Sequence, residues 1–131
     1  MEGNGIMIRK SPYSVKKSVD LLANFLMRQG LTIYKRIDQQ QEIKRSGLEM
    51  LPLEFILFGN PAAGGHLMKK HPLIALDLPL KVIVWEDTDQ QIWLAYNSGS
   101  YLEQRYDLQP DPDSPLDLGK MIDAVFGRCD C

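Results

Sequence analysis

Leu80-Lys81-Val82-Ile83-Val84-Trp85-Glu86, followed by Asp87-Thr88-Asp89-Gln90 and then Gln91-Ile92-Trp93-Leu94-Ala95-Tyr96-Asn97, is the stretch on which the fold turns. Two runs rich in β-branched and aromatic residues flank four polar ones, which is the pattern of a β-hairpin, although the turn lacks the glycine such turns favour. Val82 and Val84 point to one side of the first strand, Ile83 and Trp85 to the other, so both faces are apolar. A sheet apolar on both faces needs a cover on each.

Upstream of the hairpin, Leu53-Glu54-Phe55-Ile56-Leu57-Phe58 reads as a further strand, ended by Gly59-Asn60-Pro61. Asn60 is placed to cap a short helix over 62–70, with Pro61 at its first position. Leu31, Ile33, Lys35 and Ile37 alternate with Thr32, Tyr34 and Arg36, giving a strand with one face more polar than the other. Asp38 to Arg45 is a polar short helix or turn. At the N-terminus Ile6-Met7-Ile8-Arg9 forms a first strand before Ser11-Pro12. Ser14 then caps a helix whose apolar stripe is Val15, Val19, Leu22 and Leu26, stopped by Gly30. Beyond the hairpin, 98–107 suits a short helix, Pro110 to Pro115 is a stiff connector, and Leu116, Met121, Ile122, Val125 and Phe126 stripe a last helix that ends near Gly127. The order is strand, helix, four strands, helix, with short helices inserted: an α+β chain.

Composition narrows the classes of function. A chain of 131 residues with 44% hydrophobic and 24% charged residues is expected to fold as one domain, 1–131. A net charge of −2 supplies no positive field for a polyanion, so nucleic acid is not an expected partner. The polar start lacks a signal peptide's basic flank and apolar run, and no stretch approaches the ~18 apolar residues of a membrane span, so a cytoplasmic location and no membrane partner are expected. Cys129 and Cys131, one residue apart, cannot staple a distant loop and supply half a metal site at best; with His66 and His71 five apart, neither metal nor cofactor is expected.

The run Phe58-Gly59-Asn60-Pro61, with Ala63-Gly64, Leu67-Met68 and Asp77-Leu78-Pro79-Leu80-Lys81, resembles the signature of the family called domain of unknown function 302. The likeness also takes in the helix ending at Gly30, Arg36-Ile37-Asp38, Trp85-Glu86-Asp87 and Tyr96-Asn97. It implies a TATA-binding-protein-like topology: a mostly antiparallel five-stranded sheet with two long helices on one face. It implies no activity. Gln39, Ala62 and Gly65 depart from the family pattern, which often has His, Lys and Thr there.

Candidate ligand-binding residues are Asp38, Gly59, Asn60, Pro61, Gly64, Asp77, Lys81 and Tyr96. The glycine-rich run 59–65 opens a helix, either as an anion cradle of backbone N–H groups or as an ordinary capped helix start; the Gly-Lys-Ser/Thr ending of a Walker loop is missing. Asp77 and Lys81 share one side of an extended segment but stand ~13 Å apart along it. Asp38 and Asp77 are the carboxylates that an enzyme would use as general acid and base, provided they converge. Tyr96, Trp85, Trp93 and Tyr101 serve either as an aromatic ligand pocket or as packing. No Ser-His-Asp or Cys-His arrangement is visible.

Three functions follow: a non-catalytic small-molecule-binding or regulatory domain with a pocket between 59–68 and the sheet; an enzyme using Asp38 or Asp77; and a homodimeric interaction module. The homodimer is expected because two helices cover one face only. The segment 60–78 is left to shield the other, and its core-forming residues, Leu67, Met68, Leu73, Ile74 and Leu76, are few.

Overall fold

The computed structural model describes residues 4–128. Its strands are β1 (Ile6–Ser11), β2 (Thr32–Asp38), β3 (Leu53–Gly59), β4 (Leu80–Glu86) and β5 (Ile92–Asn97). Its helices are α1 (Val15–Arg28), α2 (Gln39–Arg45), α3 (Pro61–Lys70), α4 (Gly99–Arg105) and α5 (Gly119–Phe126), with a 3₁₀ turn at Pro72–Leu76. The sheet order is β1-β5-β4-β3-β2, every neighbouring pair antiparallel. This is the expected strand-helix-four strands-helix topology, and the five-stranded α+β architecture is as the sequence indicates.

Alternation divides the sheet. Ile56, Phe58, Leu80, Val82, Val84 and Leu94 are buried and pack with Val15, Val19, Leu22 and Leu26 of α1 and Ile122 and Phe126 of α5. Each buried side chain of this size stabilises the fold by ~1.5–3 kcal/mol relative to its exposed state. Ser14 accepts a hydrogen bond from the Lys17 amide and fixes the start of α1, as its position before the apolar stripe indicates. At the rim Arg36 Nε donates to Glu54 at 3.0 Å and Nη1 to Asp20 of α1, which gives the buried Glu54 carboxylate a charged partner. On the far edge Arg9 clamps α5 to β1 through Asp123 at 2.9 Å and the Phe126 carbonyl.

The opposite face holds alternate residues of the same strands, among them Ile8, Lys10, Trp93, Ile83, Trp85 and Phe55. Ala95 is the only buried one among the described strand residues on that side; Ile6 and Ile8 are 37% and 40% exposed. Lys10 lies over the Trp93 ring and Lys81 over Phe55.

Several local expectations need correction. The segment 60–78 does not shield the second face: Leu67, Ile74 and Leu78 pack against the α1-side core. Of its five supposed core residues just Ile74 is buried, while Leu73 and Leu76 are over 70% exposed, because the 3₁₀ turn directs them outward. The alternation of β2 breaks at a bulge between Ile33 and Lys35, which brings Arg36 round to the helix side. The last helix starts at Gly119, three residues after Leu116, although Leu116 and Leu118 are buried as core. Cys129 and Cys131 lie outside the described residues.

The hairpin turn closes without glycine because Asp87 replaces it. Its carboxylate accepts from the amides of Asp89 and Gln91, both at 2.9 Å, and from Trp93 Nε1 at 2.7 Å, with Gln90 taking a left-handed φ of 61°.

Candidate functional site

A cavity of about 540 Å³ opens between α3, the C-terminal end of β3, the Leu78–Leu80 segment and the chain leading into α5. Its floor comes from core residues, Phe58, Leu80, Leu116 and Leu118; its outer wall is α3, which contributes Ala63, Gly64, Leu67 and Met68. Leu31, Tyr34 and Met121 complete the sides, and the lining is mostly apolar.

The wall is set by a short piece of local chemistry. Asn60 leaves the strand in an extended conformation and its Oδ1 accepts from the Ala62 and Ala63 amides at 3.1 and 3.2 Å, while its carbonyl takes the Gly64 amide. Pro61 has no N–H to offer. Every amide of the first turn of α3 is therefore satisfied within the chain, so the glycine-rich run is a capped helix start and not an anion cradle. Gly64 and Gly65 sit inside the helix rather than in a loop. A side chain at Gly64 would project between Leu78 and Met68, its first carbon 3.8 and 3.9 Å from their tips; one at Gly65 would meet nothing within 4 Å.

Gly59, Asn60, Pro61 and Gly64 line this cavity. Asp77 and Lys81 line a different and smaller one, about 140 Å³, with Asn97 and Leu102. Asp77 there accepts a hydrogen bond from the Tyr106 hydroxyl and pairs with Arg105 at 3.2 Å, tying the 3₁₀ turn to α4. Removal from water, and next the Asp77 carboxylate, push the Tyr106 hydroxyl above its ordinary pKa, so it stays a proton donor to Asp77. Asp38 lines neither cavity: it caps α2, accepting from the Gln41 amide. Tyr96 lies on the helix side of β5, half-buried, its hydroxyl pKa raised first by burial and then by the nearby Asp123. The two aspartates thus do not converge, and each is already spent on holding structure. Among the described residues no group of three or more His, Cys, Asp or Glu is placed to hold a metal ion.

Sequence reasoning, which set a pocket between 59–68 and the sheet, missed Leu31, Tyr34, Leu78, Pro115 to Leu118 and Met121 as lining. They meet only in three dimensions, and no local signal in the sequence marks them.

The family described as "Domain of unknown function DUF302" matches residues 7–127. Among solved structures, the crystal structure of an uncharacterized conserved DUF302 protein from Bacillus stearothermophilus superposes with a TM-score of 0.75 at 16% identity, covering 95% of this chain and 98% of that one. Among curated proteins, "Fluoride-specific ion channel FluC 1" of Brucella suis is 34% identical over 105 residues, 80% of this chain and 41% of that protein. FluC 1 of Brucella abortus matches equally over 39% of its length. The chain spans about 40% of these relatives. No helix among the described residues is long and apolar enough to cross a membrane.

Proposed function

Because the chain belongs to the DUF302 family, whose name carries no activity, we propose from its geometry that it is a non-catalytic small-molecule-binding domain with a regulatory role. The observation that carries this reading is the cavity of about 540 Å³ beside α3, within the range of ~300–1,000 Å³ typical of small-ligand sites and lined by apolar side chains with a few polar groups at its mouth. The enzyme alternative is disfavoured, since Asp38 is a helix cap and Asp77 is engaged by Tyr106 and Arg105. The regulatory part draws support from the Brucella proteins, in which a matching segment is joined to a longer chain named as an ion channel, as a sensing domain is joined to an effector. Thermal-shift screening against apolar small molecules, nucleotides and polar metabolites tests the proposal. Stabilisation by an apolar class is expected; no shift beyond noise with any class refutes it.

A second reading, homodimerisation, is favoured by the uncovered sheet face. Five strands at ~4.8 Å spacing and about six residues at ~3.3 Å give a face of roughly 480 Å². Two copies pressed together would bury about 1,000 Å², the lower bound for a specific interface. The lysines do not forbid it, because Lys10 lies on an edge strand and both Lys10 and Lys81 rest on aromatic rings. Light scattering over a dilution series should give twice 14.9 kDa; the monomer mass at tens of micromolar, an ordinary range for such an interface, sinks this reading.

A further inference from the structure

Resting on the reading that the large cavity holds a ligand, we infer that its occupant is an uncharged amphiphile, an elongated apolar molecule ending in a hydroxyl or carbonyl, and not a fatty-acid anion or a phosphate. The body follows from the walls: Phe58, Leu67, Leu78, Leu118 and Met121 present hydrocarbon and sulfur with no polar group between them. The charge follows from the rest of the lining. No Lys, Arg or His belongs to it among the described residues, and its one carboxylate, Asp117, stands exposed at the rim. An anionic head entering here would leave water without gaining a counter-ion and would meet a like charge.

The start of α3 cannot stand in for a cation, because the Asn60 side chain already occupies the amides of Ala62 and Ala63. That same cap leaves Asn60 Nδ2 as an unspent neutral donor at the mouth. Tyr34 lines the cavity too, and neither its hydroxyl nor Asn60 Nδ2 has a protein hydrogen-bond partner among the described residues. Neutral donors of this kind suit an alcohol or ketone oxygen.

The test is calorimetric titration of the full chain at neutral pH with decanol, decanoate and decyltrimethylammonium, each below its aggregation concentration. Decanol should bind, and decanoate should bind at least about tenfold more weakly. In Asp117→Asn, which keeps the oxygen that accepts the Gly119 amide, the gap should narrow. Decanoate binding as tightly as decanol overturns the inference while leaving the cavity reading intact, as does a decyltrimethylammonium affinity above that of decanol. No binding of any probe, or decanol binding undiminished when the Gly64→Leu side chain enters the cavity, overturns the cavity reading itself.

Discussion

Replacing Gly64 by leucine should raise the stability of the free protein and lower its affinity for ligand, two effects of opposite sign from one side chain. Glycine inside a helix costs ~0.8–1 kcal/mol relative to alanine, and leucine costs little, so α3 gains ~0.7 kcal/mol. The new side chain projects between Leu78 and Met68, with its first carbon at ordinary contact distance, and the outer carbons enter the cavity. Partial burial there adds ~1 kcal/mol. The sum, roughly 1.5–2 kcal/mol, corresponds to a rise in Tm of about 5–8 °C for a chain of this size. A ligand has to share the remaining space, at an overpacking cost of ~1.4 kcal/mol, in the lower part of the usual range, which is about tenfold in Kd. At a concentration a hundred times the original Kd, ligand stabilises the parent by ~2.7 kcal/mol, and the variant should recover about half of that. Gly65→Ala is the control: open space surrounds it and it does not line the cavity, so it should gain ~1 kcal/mol and leave the ligand shift unchanged. Differential scanning fluorimetry with and without ligand reads both. A Gly64→Leu protein less stable than the parent, or one with an undiminished ligand shift, refutes the reasoning.

Arg36→Met strands the buried Glu54 carboxylate and should cost ~3 kcal/mol, the lower end for breaking a buried pair, whereas Arg36→Met with Glu54→Leu should recover most of it; urea denaturation measures both, and a double variant no better than the single one is the contrary result. Asp87 has its pKa lowered, first by the Trp93 indole and then by the Gln91 amide, so its contribution is present above the unfolded value of 3.8 and is lost as pH falls through the depressed folded value. Tryptophan fluorescence followed through acid titration should change in that window, and Asp87→Asn should already show the altered signal at neutral pH; identical titrations for the two proteins would contradict this role.

What the sequence makes legible divides along a physical line. Strands β3, β4 and β5 and helix α1 were legible because their periods are local: Leu53 to Phe58 and Leu80 to Glu86 are unbroken β-rich runs, and Val15, Val19, Leu22 and Leu26 mark one helix stripe. The cap at Asn60 was legible for the same reason. Two things were not. The bulge after Ile33 changes which side chains face the helices, and nothing in Thr32-Ile33-Tyr34-Lys35 announces it. The cavity joins residues from 31 to 121, and so its lining depends on tertiary placement; four candidate residues line it, Asp38 and Tyr96 line neither cavity, and Asp77 and Lys81 belong to the smaller one, where Asp77 is drawn to Tyr106 and Arg105, 28 or more positions along the chain. Leu73 and Leu76 misled by composition alone, since an apolar residue says nothing about which way a 3₁₀ turn will aim it.

The bulge in β2 has a bearing on which partners the sheet can refuse. β2 and β1 are the two edges, the places where an unpaired ladder of amides and carbonyls invites another chain to add a strand and so to start a fibre. One edge is kinked by the bulge and carries Lys35 beside Arg36; the other is six residues long, carries Arg9 and Lys10, and stops at Ser11 before Pro12. Kink, charge and proline are each known means of making an edge a poor template. Growth by edge-to-edge polymerisation is thereby discouraged at both ends of the sheet, and peptide capture by strand addition with it, which leaves the broad face and the cavity as the surfaces open to recognition.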